Sequence, residues 1–145
     1  MIPNAILILN IIIAILMSGI IWYAQIVYYL FRFIGRNNFA LYKKEYDKKV
    51  LPLGILLMIS DLASGSMLIF FNQSGLDILY LINLMLIILI IMITFLIEVP
   101  AHLSLESAFT NSKYKRLLNT NLIRAIIYTI RVLLLIFIFK TQTFL

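Results

Sequence analysis

The chain has 145 residues, of which 63% are hydrophobic and 12% charged, with a mean hydropathy of +1.07. Soluble domains hold about 45–50% apolar residues, so a soluble protein is excluded and the length fits one membrane domain over residues 1–145. With no cysteine and one histidine, disulfides, thiolate metal sites and multi-imidazole sites within one chain are excluded as well. The formal charge of +6 does not signal nucleic-acid binding, because the lysines and arginines gather in two connecting segments, as orientation signals do.

A transmembrane helix needs about 20 mostly apolar residues. Four stretches qualify: about Ile6 to Phe31, Leu51 to Phe71, Ile78 to Ile97 and Asn121 to Phe139. The first has no basic leader, too long an apolar run and no small-x-small site after it, so it reads as a retained helix rather than a signal peptide. Trp22, Tyr23, Tyr28 and Tyr29 cluster toward its far end, where an aromatic belt accounts for Tyr28 and Tyr29. Trp22 is deeper and is placed either in packing or beside a pocket with Gln25.

The segment from Arg32 to Lys49 carries Phe39, Tyr42, Tyr46 and Val50 at steps of three and four, with Lys43, Lys44, Asp47 and Lys48 between them. That pattern predicts an interfacial amphipathic helix. Pro52 falls in the first turn of the second span, where its missing donor is not needed. Ser60, Ser64, Gly65 and Ser66 make this the small-residue helix, able to pack closely or to dock a partner. The turn Asn72-Gln73-Ser74-Gly75 has no basic residue, whereas the first connection has six and the third has Lys113, Lys115 and Arg116. Both long connections are therefore expected in the cytoplasm and both termini outside.

Charges inside the spans point to a site. Asp61 lies in the second span, Glu98 at the end of the third, and Arg124 and Arg131 in the fourth. Each costs at least about 2.5–3.5 kcal/mol in hydrocarbon, so each should face the interior and meet a partner. Asn121, Arg124, Tyr128 and Arg131 are three, four and three residues apart, on one helix face. At 1.5 Å per residue, Asp61 and Arg131 lie roughly 15–18 Å from the cytoplasmic end, and Glu98 and Arg124 within roughly 8 Å of it. Two layers are expected: Asp61, Arg131 and Tyr128 deep; Glu98, Arg124 and Asn121 shallow; Gln25 between them. Asn83 and Thr94 are assigned to helix contacts.

Glu98, His102 and Glu106 would share a face of an unbroken helix, but Pro100 biases the chain out of helix there, so no metal is assigned. His102 is the candidate catalytic base, since histidine ordinarily titrates near pH ~6.5. Gln25, Asp61, Glu98, Asn121, Arg124, Tyr128 and Arg131 are the candidate ligand-binding residues. No cofactor is expected.

Val99-Pro100-Ala101-His102-Leu103-Ser104-Leu105, then Leu118-Asn119-Thr120-Asn121-Leu122-Ile123-Arg124 with Tyr128 and Arg131, form one group of motifs. Gln25-Ile26-Val27-Tyr28-Tyr29, Tyr42 and Leu51-Pro52 ahead of an intramembrane acid form another. Together they resemble small bacterial four-helix membrane proteins that look related to the anthrone-oxygenase-like group. Asp61 stands where that pattern has glutamate, and Ile127 where tryptophan is common. The resemblance implies a four-helix bundle with a site near the cytoplasmic side and His102, Asn121, Arg124 and Arg131 at matched positions. The oxygenase chemistry of a subset, on a hydrophobic aromatic substrate and without a metal, is not carried over.

The expected fold is all-α, a four-transmembrane-helix bundle with the interfacial helix between spans one and two. Three functions fit the sequence: a binder of a small lipophilic ligand or substrate, an ion-conducting or transporting homo-oligomer, and a structural subunit with membrane-complex partners. The lipid bilayer is a partner in all three. The isoleucine, leucine, lysine and asparagine bias fits an AT-rich genome and hence a bacterial or organellar inner membrane.

Overall fold

The computed structural model describes residues 2–34, 36–71, 77–107 and 109–144. The described chain is all-α and forms a four-helix bundle. Helix α1 covers Ile2–Leu30 and ends in a short 3-10 turn, Phe31–Phe33. Helix α2 covers Arg36–Phe70 and α3 covers Asp77–Ile93. A π turn, Thr94–Glu98, joins α3 to α4, Val99–Ser107, and α5 covers Asn111–Phe144. Four helical spans are long and apolar enough to cross a membrane: Asn4–Leu30, Leu41–Phe70, Ile78–Leu105 and Asn111–Gln142. They pack in a ring in which α1 touches α2 and α5, and α3 touches α2 and α5.

The inward faces repeat every three and four residues, the spacing of left-handed helix packing. On α1 the buried positions include Leu7, Asn10, Ala14, Met17, Ile21, Ala24 and Tyr28, followed by Phe31 in the 3-10 turn; on α5 they include Leu117, Asn121, Arg124, Tyr128, Arg131, Leu135 and Ile138. Large apolar side chains such as Ile26, Leu56, Met85 and Leu133 face outward, a surface suited to lipid. The interior alternates apolar and polar layers. Leu7, Leu68, Tyr80, Leu135 and Ile138 pack at the end that holds both termini. Ile13, Met17, Ile21, Ile90 and Ala125 fill the middle, and Ala24, Val27, Phe31, Ala101, Leu105 and Leu117 close the basic end.

Three expectations change in shape. The amphipathic stretch after Arg36 is helical, but it runs unbroken into the second span. At 35 residues α2 is ~52 Å long against a hydrocarbon core of ~30 Å, so its basic end extends the span beyond the core. Tyr46 and Val50 face inward together with Lys43 and Asp47, while Tyr42 is exposed and meets Phe31 edge-on. Pro52 therefore lies inside α2 rather than in its first turn. The helix also continues through Pro100, and the third span extends to Leu105. The turn 72–75 and the side chains of Arg32, Phe39 and Glu106 lie outside the described residues.

The small-residue face of α2 is not free for a partner. Ser64 is buried, and a Cβ built on Gly65 would run into Cδ1 of Ile87, with the amides of Asn83 and Asn10 at 3.7 and 3.9 Å. Glycine here sets the closeness of α2 and α3. Gly65→Leu should destabilise the bundle by about 1–3 kcal/mol through overpacking, despite leucine's better helix propensity. A thermal melt in detergent checks this, with Gly19→Leu as the control, because Gly19 has open space around it.

Candidate functional site

The deep layer is a closed polar network that joins all four spans. Arg131, fully buried, donates through Nη1 and Nη2 to the two oxygens of Asp61 at 2.6 Å each, a bidentate pair. Its Nε donates to Asn83 Oδ1 at 2.8 Å, and Nη2 also reaches Asn10 Oδ1 at 3.2 Å. Asn10 Nδ2 donates to Ser64 Oγ at 2.7 Å and to Asp61 at 3.3 Å, and Asn83 Nδ2 donates to Asn10 Oδ1 at 3.3 Å. Tyr128 Oη approaches Asp61 at 3.5 Å, and its ring lies 5.8 Å from the Arg131 guanidinium carbon. The pairing of Asp61 with Arg131 matches their equal depth. Asn10 escaped the sequence reading, and Asn83 proves to be part of the network rather than an isolated helix contact.

The shallow layer is built differently. Arg124 forms an ion pair with Glu98, and Glu98 Oε1 lies 3.6 Å from His102 Nε2. The hydroxyl of Tyr28 is 2.9 Å from the same nitrogen, with the two rings edge to face. Asn121 donates to Gln25 Oε1 at 2.7 Å and to the Ile21 carbonyl at 3.2 Å. Gln25 thus belongs to this layer and not to a position between the two. Tyr28 is buried on His102, so the belt role expected for it fits only Tyr29, which is exposed. Trp22 is exposed and donates to Thr129 at 3.1 Å, in side-chain packing on the outer face of the bundle.

The π turn explains why Glu98 faces inward. Ile90 is wholly buried. On a continuous α-helix Ile97 would stand about 20° from the direction of Ile90, and Glu98 about 80° from it. The Val99 N–H bonds the Thr94 carbonyl, five residues back, which inserts one extra residue into the turn. Glu98 and Ala101 are consequently buried and Ile97 is exposed. The same widened turn precedes Pro100, which has no N–H to give the α-helical ladder. The helix break expected at Pro100 is replaced by this bulge, and Glu98 and His102 remain on one face.

Above the middle apolar layer the spans enclose a cavity of about 400 Å³, within the ~300–1,000 Å³ range of small-molecule sites. Glu98, Arg124, His102, Asn121 and Tyr28 line it, together with Lys43 and Asp47, which form a further ion pair. Apart from Tyr46 and Thr94, the rest of the wall is apolar, with Met17, Ile21 and Met58 among its residues. Two local features leave the space open. Gly54 brings no side chain, and nothing lies within 4 Å of where its Cβ would be. The π turn, for its part, scarcely touches α2. Leu51 and Ile55 on one side and Phe95 and Leu103 on the other are wall residues that are also exposed on the outer surface. The cavity therefore opens sideways between α2 and the third span.

Among the sequence-predicted residues, Glu98, His102, Asn121 and Arg124 share this cavity; Gln25, Asp61, Tyr128 and Arg131 do not line it. Lys43, Asp47, Tyr28, Tyr46 and Gly54 complete it. The spacing of 43, 46, 47, 50 and 54 on one helix face was the available signal for four of these. Chemically, an imidazole between a carboxylate and a phenol can take up and return a proton. Among the described residues no three His, Asp or Glu side chains are grouped to hold a metal. No protein-family model, no curated protein and no solved structure matches this chain.

Proposed function

We propose that the chain is an integral protein of a bacterial or organellar inner membrane that binds a small lipophilic ligand or substrate in this cavity. Both basic connections lie in the cytoplasm and both termini outside, so the cavity belongs to the cytoplasmic leaflet. The observation that carries the reading is one apolar cavity with convergent polar groups and a lateral opening. The resemblance to small four-helix membrane proteins favours the same end of the bundle. In this reading Arg124, Glu98, Asn121 and His102 face the ligand, and His102 moves a proton where the ligand is a substrate. Asp61, Tyr128 and Arg131 hold the helices in register, with Gln25 steadying Asn121. The closed deep layer disfavours a conducting path along the bundle axis, since Arg131 is fully buried and its guanidinium is held by three residues.

Gly54→Phe tests this directly. The ring fills the cavity without removing any polar group, and leaving glycine favours the helix by up to ~1 kcal/mol. Native mass spectrometry after mild extraction should find a bound small molecule on the unmodified chain and none on Gly54→Phe, with both proteins folded. Equal ligand content in the two would refute the assignment.

A further inference from the structure

We infer that the ligand is an uncharged lipophilic alcohol, an inference that rests on the cavity's being the ligand site. Charge balance is the first reason. Arg124 is paired with Glu98, and Lys43 with Asp47. A carboxylate or ammonium head group would add a charge with no counterpart inside a low-dielectric wall.

Hydrogen bonding is the second. On α5, two buried wall residues each have one polar atom with no hydrogen-bond partner among the described residues: Nε of Arg124, a donor, and Oδ1 of Asn121, an acceptor. Arg124 follows Asn121 by three residues, so the two side chains are neighbours on one face of α5. A hydroxyl is the smallest group that accepts from one and donates to the other. A ketone or ether serves the arginine alone. The third reason is the lateral mouth between Leu51 and Ile55 on α2 and Phe95 and Leu103 on the third span. It faces lipid, where a molecule with an apolar tail is already concentrated.

The test uses three radiolabelled probes of equal chain length, dodecanol, dodecyl methyl ether and dodecanoate, on the protein in lipid nanodiscs. Retention on Gly54→Phe nanodiscs is subtracted as partitioning into lipid. Dodecanol should bind about tenfold more tightly than the ether, the scale of one unmet buried hydrogen bond, and dodecanoate more weakly than either. Arg124→Lys keeps a cation beside Glu98 and removes the Nε donor; it should weaken dodecanol binding about tenfold. The comparison of probes on the unmodified chain stands even if that variant folds poorly. Tightest binding by dodecanoate would overturn the alcohol assignment. So would equal binding of alcohol and ether, both lost in Gly54→Phe, and that result would leave the cavity as a lipophile site. Retention of every probe unchanged in Gly54→Phe would overturn the cavity reading and the alcohol with it.

Discussion

Arg131→Leu should destabilise the bundle by about 3–5 kcal/mol, the largest loss expected from any single substitution here. The arginine is wholly buried and satisfies both oxygens of Asp61 as well as the amide oxygens of Asn10 and Asn83. Removing it leaves a carboxylate in the centre of the bundle with no cation, the costly half of a broken ion pair. The double variant Arg131→Leu/Asp61→Leu removes that charge as well and should recover most of the loss, because intact buried pairs contribute little net stability. Arg131→Lys should fall between them, since an ammonium cannot present the planar fork that spans both carboxylate oxygens. Thermal melts of the four proteins in one detergent give the order. A double variant no more stable than Arg131→Leu would mean that the network itself, rather than its charge balance, holds the spans. Because the network does not line the cavity, Arg131→Lys should keep ligand wherever it folds.

Much of this arrangement is legible in the sequence, and the remainder has identifiable causes. The four spans follow from hydropathy alone. The face Asn121, Arg124, Tyr128 and Arg131 follows from spacing, and the pairing of Asp61 with Arg131 from depth. Asn10 and Asn83 were harder to read, because a lone amide in a span signals nothing beyond a helix contact. Their shared phase with the inward faces of α1 and α3 was the usable sign. The cavity was not legible. Gly54 creates it by an absence, and glycine in a membrane helix is too common to mark one. The inward turn of Lys43 and Asp47 shows only in the face they share with Tyr46, Val50 and Gly54, since alternating charges near a membrane surface ordinarily face water. Pro100 misled in a particular way: proline opposes the α-helical ladder, but a π turn just before it absorbs the conflict without ending the helix.

That π turn leads to a second large effect. Its extra residue should be removable. Deleting Leu96, an exposed residue of the turn, converts the π turn to α-helix and leaves Glu98 in the inward phase of Ile90. The Glu98–Arg124 pair and the face shared with His102 then persist, and the main cost is renewed strain at Pro100. Deleting Leu89, also outward-facing but five residues before the turn, leaves the residues between them out of phase before the extra residue of the turn can absorb it. Residues 90–93 rotate by about 100°, carrying the wholly buried Ile90 away from the core even where loss of the π turn returns Glu98 to register. Where the π turn persists instead, Glu98 turns toward lipid and Arg124 is left buried alone, each at a cost of several kcal/mol. Fluorescence-detected size exclusion of the two deletions should show a folded, monodisperse ΔLeu96 protein and aggregated or absent ΔLeu89. Equal failure of both would mean that the π turn is needed for itself, as the bend that accommodates Pro100 and opens the cavity beside α2.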